Sequence, residues 1–166
     1  MTVRQLWGGE GVDESYTDEV HQLYESVFNR AEVKFERLTP EFFRQLARQL
    51  PENSRFTFVE RGGHVTAFAA SLYSPESYHQ MFVGVNHRLN SEYDLYFNLF
   101  FHAIDAAFRS GSAKIQVGQS ADDFKHQKFS CFQKPLSLYI KGARPMERFL
   151  IRRLFSVFFP PREIRK

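Results

Sequence analysis

The spacing of apolar residues predicts two helices in the first third of the chain. Apolar side chains recur every three or four positions over residues 16–31, which indicates an amphipathic helix. A second helix is predicted from Thr39 and Pro40, because threonine is a favourable N-cap and proline suits the first helical position. Pro51 ends this helix. Residues 1–15 are polar and rich in glycine, and we expect them to be irregular.

The apolar pattern then changes to one that is typical of strands. Residues 55–61 and 64–73 are separated by Gly62–Gly63, a pair that favours a two-residue hairpin turn. A third strand, residues 80–85, follows a short turn. Together these segments predict an antiparallel meander of three strands.

A buried helix is predicted over residues 95–108, which are apolar almost all round. Ser91 and Asp94 have the spacing of a capping box at its start. Gly111 is well placed as its C-terminal cap. A short strand, residues 114–117, follows, and it joins the same sheet by a crossover if it runs parallel to its neighbour.

The last part of the chain has three further predicted elements. Ser120 and Asp123 mark the start of a short helix, and residues 136–140 alternate as a strand does. Residues 145–159 have the pattern of a basic amphipathic helix, and residues 160–166 are a tail.

Composition narrows the class of protein. The 166 residues fit one domain, and we expect a single domain over 1–166. The hydrophobic fraction of 43% excludes a disordered chain, and the single cysteine, Cys131, excludes a disulfide framework. No apolar run is long enough for a membrane span, and no secretory signal is present, so a cytoplasmic location is expected. The net charge of +3 and the absence of a specific motif do not favour nucleic-acid binding.

The order of elements resembles that of the acyltransferase fold, which has a split central sheet. We therefore expect a mixed α/β (α+β) fold in which two sheet strands splay apart between flanking helices. Two parts of the sequence resemble the FemAB-like, peptidoglycan-bridge group of the GNAT acyltransferase superfamily. The first is FERLTPEFF at residues 35–43. The second combines YDLYF at 93–97, GQS at 118–120, FK at 124–125 and PLSLY at 135–139.

This resemblance implies transfer of an acyl or aminoacyl group to an amine. The donor is an acyl-CoA or an aminoacyl-tRNA, no metal is required, and the acceptor is a small-molecule or peptide amine. The chain holds one such domain where the family usually has two, and it lacks the glycine-rich loop that binds the coenzyme A pyrophosphate in many acetyltransferases. The alternative is therefore a catalytically inactive accessory module that acts by association through residues 145–159.

Three charged residues are the candidate catalytic groups. Lys125 can stabilise the negative charge that develops on the carbonyl oxygen, or hold a donor phosphate. Glu36 and Asp94 are candidate general bases for the amine. The simpler interpretations are a solvated charge for Lys125, a surface charge for Glu36 and a first-turn cap for Asp94.

Two loops are the candidate donor-binding segments. Asn86 and Arg88 precede the buried helix, and the arginine can pair with a phosphate. Gly118, Gln119 and Ser120 join a strand end to a helix start, where free N–H groups can meet an anion. In both loops, plain helix capping by asparagine or serine is the simpler interpretation.

The amphipathic segment 145–159 allows three interpretations. Its apolar side can pack on the domain's own sheet, or it can contact a second copy or a second domain. Its arginines also suit an anionic membrane surface.

Overall fold

The structure, a computed structural model, describes residues 1–31, 34, 36–118, 122–132, 134 and 139–158. The chain divides into two compact units, Met1–Gly118 and Gln119–Lys166, which we call the first and second units. Within the described residues, no helix is long and apolar enough to cross a membrane.

The first unit contains five strands and five helices among its described residues. In chain order they are β1 (Thr2–Trp7), α1 (Val12–Ser15), α2 (Asp18–Arg30), α3 (Pro40–Gln49), β2 (Ser54–Arg61), β3 (His64–Tyr73), β4 (Tyr78–Val85), α4 (His87–Tyr93), α5 (Leu95–Arg109) and β5 (Ile115–Gln116).

The strands form one sheet in the order β1-β2-β3-β4-β5. The first four pair in antiparallel fashion, and β5 pairs with β4 in parallel. The predicted three-stranded meander and the short strand after the buried helix are thus confirmed. Gly62 and Gly63 make the predicted hairpin turn, and both have positive φ, at 59° and 83°.

The expectation of an irregular N-terminus is wrong. Residues 2–7 pair with β2 along their whole length, and a short helix, α1, follows. The strand is stabilised by groups distant in sequence, because Arg4 pairs with Glu60 and the Arg55 guanidinium lies over the Trp7 ring. Local patterning alone does not reveal a strand whose stability comes from such long-range contacts.

Each face of the sheet is covered by helices. Helices α1–α3 cover one face, where the buried cluster is dense in aromatic rings, including Tyr16, Tyr24, Phe43 and Phe68. Helix α5 covers the opposite face with a more aliphatic cluster. Its buried members are Val59, Ala67, Ala69, Val85, Leu95 and Leu99.

Helix α5 begins differently from the prediction. Ser91 and Asp94 do not form a capping box, because Ser91 lies inside α4 and the Asp94 side chain makes no capping hydrogen bond. The Asn90 side chain instead accepts a hydrogen bond from the Tyr96 N–H. Asp94 adopts a left-handed conformation (φ 47°) that turns the chain between the two helices, a conformation that aspartate tolerates better than most residues.

The C-terminus of α5 agrees with the prediction. Gly111 has φ 69°, and its N–H donates to the carbonyl of Phe108. The Ser112 N–H donates to the carbonyl of Ala107, which completes a Schellman motif.

The second unit contains α6 (Asp122–Phe129) and α7 (Pro145–Phe158) among its described residues. Both helices were predicted, although Ser120 and Phe159 lie outside the described residues. The predicted strand at 136–140 lies mostly outside them, and Tyr139 and Ile140 are not in a strand. These two residues line a cavity of about 330 Å³ together with Ile151 and Phe155 of α7.

Candidate active site

Strands β4 and β5 separate after a short paired stretch. Tyr78 pairs with Ile115, and His79 pairs with Gln116. Strand β4 then continues to Val85, and no described strand pairs with residues 80–85 on the β5 side. Beyond the paired residues, β4 therefore has an edge that no other described strand covers, and we call this open place beside β5 the fork.

A β-bulge in β4 lies at the start of this fork. Gln80 pairs with Ser71 and Phe82 pairs with Ala70, so Met81 has no partner on β3. Met81 is 46% exposed. Because a bulge bends its strand and disrupts the local ladder, it directs β4 away from β5 at this point.

The fork leaves a polar backbone edge on β4. An unpaired strand edge offers N–H and C=O groups that can hydrogen-bond to an extended ligand, as in strand addition. The edge between residues 80 and 85 can therefore hold a linear, amide-containing arm.

Helix α2 supports β4 from the aromatic face of the sheet. A Cβ atom placed on Gly84 would lie 2.6 Å from the backbone nitrogen of Tyr24, so the helix backbone packs directly on the strand. The Phe82 ring also contacts the rings of Phe42 and Phe43, with centroids 5.9 and 5.5 Å away. These contacts fix the free part of β4.

Glu36 lies in the segment between α2 and α3, and it is exposed. The Tyr24 hydroxyl donates to the Glu36 carbonyl (3.4 Å) and accepts from the Leu38 N–H (3.2 Å). Arg37 forms an ion pair with Glu25. Tyr24 and Glu25 of α2 thus both hold the segment that carries Glu36.

Asn86 and Arg88 lie directly beyond the free part of β4. The Asn86 side chain is the N-cap of α4 and accepts hydrogen bonds from the N–H groups of Arg88 (3.1 Å) and Leu89 (3.3 Å). These N–H groups are therefore already satisfied, as the simpler capping interpretation held. The Arg88 side chain is exposed, and none of the ion pairs among the described residues includes it.

The remaining predicted site residues lie elsewhere in the chain. Asp94 is exposed at the end of α4, on the α5 side of the sheet, whereas Glu36 precedes α3 on the other side. Gly118 follows β5 with φ 78°, and Gln119 and Ser120 lie outside the described residues. Lys125 lies on α6 of the second unit and is only 4% exposed, so its interpretation as a solvated surface charge is wrong.

Sequence reasoning missed a row of polar side chains on the α5 face of the sheet. Ser71 and Gln80 are opposite each other in the register, and both are buried. Burial raises the pKa of Tyr78 on the same face, and the nearby Ser71 partly opposes the shift. The sequence indicates such a row only by the presence of polar residues in largely apolar strands. It does not reveal which of these polar residues are buried.

The described residues contain no group of histidine, cysteine, aspartate and glutamate side chains that could hold a metal ion. Burial lowers the pKa of His102 on α5, which favours the neutral ring.

Several solved structures that share this fold are named as acetyltransferases. An aminoglycoside acetyltransferase from an uncultured soil metagenomic sample, in complex with sisomicin, superposes with a TM-score of 0.61 at 14% identity, over 84% of this chain and 95% of that chain. Aminoglycoside N-acetyltransferase AAC(6')-Iy in complex with CoA gives a TM-score of 0.59 at 8% identity, over 86% and 95%.

A ribosomal-protein-alanine N-acetyltransferase from Brucella melitensis biovar Abortus 2308 gives a TM-score of 0.55 at 11% identity, over 85% of this chain and 98% of that chain. The expected mixed α/β fold with splayed strands is thus confirmed as the GNAT acetyltransferase fold.

The sequence itself identifies the family. The family model described as an acetyltransferase (GNAT) domain matches residues 9–126, well over half of the chain. The chain therefore belongs to the GNAT acetyltransferase family. No curated protein sequence matches it.

Proposed function

We propose that this protein transfers an acyl group from an acyl-CoA to a primary amine of a small molecule or peptide. The observation that carries the proposal is the fork after His79 and Gln116, with the bulge at Met81. It leaves a strand edge beside which a thioester arm can lie. Membership of the GNAT family supports the same reaction class.

The donor is proposed as an acyl-CoA in preference to an aminoacyl-tRNA. Strand-edge groups suit the amide-rich arm of CoA, and one structure with this fold contains CoA. The FemAB-like resemblance keeps an aminoacyl-tRNA as the second donor, and a cytoplasmic location suits either of them. Direct competition between the two donors distinguishes them.

Eight residues are assigned roles in this proposal. Glu36 or Asp94 takes the proton of the attacking amine, and Lys125 stabilises the oxyanion. Arg88 pairs with a donor phosphate, next to the loop that Asn86 caps. Gly118 leaves β5 at the fork, and Gln119 and Ser120 complete the segment that follows it.

The first experiment measures donor binding by thermal unfolding. A saturating donor that binds only the folded protein should raise Tm by about 5 °C or more for a chain of this size. CoA and acetyl-CoA are tested beside an aminoacyl-tRNA, with ATP as the control nucleotide. Release of the CoA thiol is then followed with a panel of primary amines that includes an aminoglycoside and lysine peptides.

The outcomes separate the two donors and the inactive alternative. A rise in Tm with acetyl-CoA and amine-dependent thiol release support the proposal. A rise in Tm with the aminoacyl-tRNA alone indicates that the donor is an aminoacyl-tRNA and not an acyl-CoA. The absence of any shift contradicts donor binding altogether.

The second candidate is an inactive accessory module that binds a partner through α7. One observation favours it: α7 has a stripe of exposed apolar side chains within the second unit, beside its arginines. Its members are Met146, Phe149, Leu150, Leu154 and Val157. Light scattering tests a second copy as the partner, and sedimentation with anionic vesicles tests a membrane surface.

A further inference from the structure

Gln80 is a buried side chain with unsatisfied hydrogen-bonding groups. The residue is only 4% exposed. Neither its Oε1 nor its Nε2 atom has a hydrogen-bond partner among the described residues. Since most buried polar groups in proteins are hydrogen-bonded, an amide with two unpaired atoms needs a physical explanation.

The position of Gln80 in the sheet supplies one. Gln80 is the first residue of β4 beyond the stretch that pairs with β5, and it directly precedes the bulge at Met81. Its register partner is Ser71, and Tyr78 lies two residues earlier on the same face, packed near α5. The unsatisfied amide therefore lies where the fork opens.

The chemistry of a glutamine side chain matches a particular type of ligand group. Its carboxamide offers two N–H donors and a carbonyl acceptor, which pair well with a secondary amide. The pantetheine arm of CoA contains two secondary amides, whereas the nucleotide end of CoA contains none. An arm that lies along the free edge of β4 passes the base of the Gln80 side chain.

We infer that Gln80 hydrogen-bonds an amide of the pantetheine arm of the acyl donor. The inference rests on the proposed function and adds the residue that recognises this arm. Gln80 has three flexible side-chain torsions, so its amide can turn towards the fork when an arm lies there. The unsatisfied state of the free protein favours that turn, because the ligand amide supplies partners that the protein does not.

The proposal predicts that removal of the Gln80 amide raises the stability of the protein and weakens its binding of the donor. Gln80→Met keeps the length of the side chain and removes both unsatisfied polar atoms. The variant should unfold at a temperature about 2–4 °C higher than the wild type. It should also bind CoA about tenfold more weakly, because it cannot pair with the arm.

The experiment compares two probes by calorimetric titration. CoA contains the arm, and adenosine 3′,5′-bisphosphate is the nucleotide end without the arm. Gln80→Met should weaken the binding of CoA alone and leave the affinity for the bisphosphate unchanged. The matched control is Gln5→Met on β1, at the opposite edge of the sheet. Gln5 also has an unsatisfied Nε2 atom, and its Oε1 accepts from Arg55.

Three results would overturn the inference. The first is a CoA affinity within about twofold of the wild type in Gln80→Met, whatever its Tm. The second is an equal loss for both probes, or an equal loss of CoA affinity in Gln5→Met, since either indicates a general disturbance. The third is a wild-type protein that binds neither probe, which contradicts the proposed function together with this inference.

Discussion

The backbone of Tyr24 in α2 packs directly against Gly84 in β4. A Cβ atom on Gly84 would lie 2.6 Å from the Tyr24 nitrogen and 2.4 Å from a ring carbon of Phe68. Because no real Cβ contact is that short, α2 or the strand must shift if the glycine is replaced. This contact determines how closely the helix supports the free part of β4.

We expect Gly84→Ala to destabilise the protein. Overpacking at such a position lowers the free energy of unfolding by about 1–3 kcal/mol. Denaturant-induced unfolding measures the loss. Gly9→Ala is the control, because its Cβ would lie 3.3 Å from a single side-chain carbon of Pro51. Equal stability of the two variants would contradict the close packing.

Tyr24→Phe should loosen the segment that carries Glu36. The substitution removes the hydrogen bonds to the Glu36 carbonyl and from the Leu38 N–H, and lowers the free energy of unfolding by about 1–2 kcal/mol. Amide hydrogen exchange at Leu38 should become faster. Tyr16→Phe is the control, since that hydroxyl bonds to His21 instead. Unchanged exchange at Leu38 in Tyr24→Phe would show that the hydroxyl does not hold the segment.

His21 should make the stability of the fold depend on pH. Burial lowers the pKa of His21 below its usual value, although Glu25 and Asp18 partly oppose the shift. Burial also raises the pKa of Tyr16, so the Tyr16 hydroxyl stays protonated, and it shares a hydrogen bond with Nδ1 of His21 in which the tautomer of the ring sets the donor.

The sign of the effect follows from these directions. At a pH well above the usual histidine pKa, the ring is neutral in both the folded and the unfolded chain, so its burial carries no protonation cost. As the pH falls below that value, the unfolded chain binds a proton that the folded chain does not, so stability is lost until the lowered folded pKa is reached. His21→Gln should reduce the difference in unfolding free energy between about pH 7.5 and about pH 5.

Arg88→Gln tests the proposed phosphate contact. A lost charge-assisted hydrogen bond should weaken the binding of CoA and of adenosine 3′,5′-bisphosphate alike, by about tenfold. Arg61→Gln is the control, because the Arg61 guanidinium lies over the Tyr93 ring of α4, 4.7 Å from its centroid. Wild-type affinity for both probes in Arg88→Gln would remove this residue from the donor site.

Lys125→Met tests the proposed oxyanion contact. Loss of a group that stabilises developing charge should lower the turnover number about 100-fold while the Kd for CoA stays the same. Lys128→Met is the control, since Lys128 is exposed on the same helix. Circular dichroism checks that both variants fold. A folded Lys125→Met protein with wild-type turnover would exclude the catalytic role.

Much of the fold can be predicted from the sequence, because its signals are local. The Thr39 and Pro40 start signal, the Gly62–Gly63 turn and the Gly111 cap each require only neighbouring residues, and each is confirmed. The N-terminal strand could not be predicted in this way, because its pairing with β2 joins residues about fifty positions apart. The predicted start of α5 was wrong as well, since the Asn90 side chain, and not a Ser91–Asp94 capping box, accepts a hydrogen bond from an N–H group of its first turn.

In the candidate site, too, local features could be predicted from the sequence and long-range features could not. The sequence by itself determined the order of α2, α3, the three-stranded meander, α5 and β5, and the polar groups available, because periodicity and capping are properties of adjacent residues. Only the tertiary structure decided that the pairing of β4 with β5 ends after His79 and that Met81 is the bulged residue. It also decided that Gln80 is buried with no hydrogen-bond partner among the described residues. Strand register and burial depend on segments that are far apart in the chain, so no local pattern determines them.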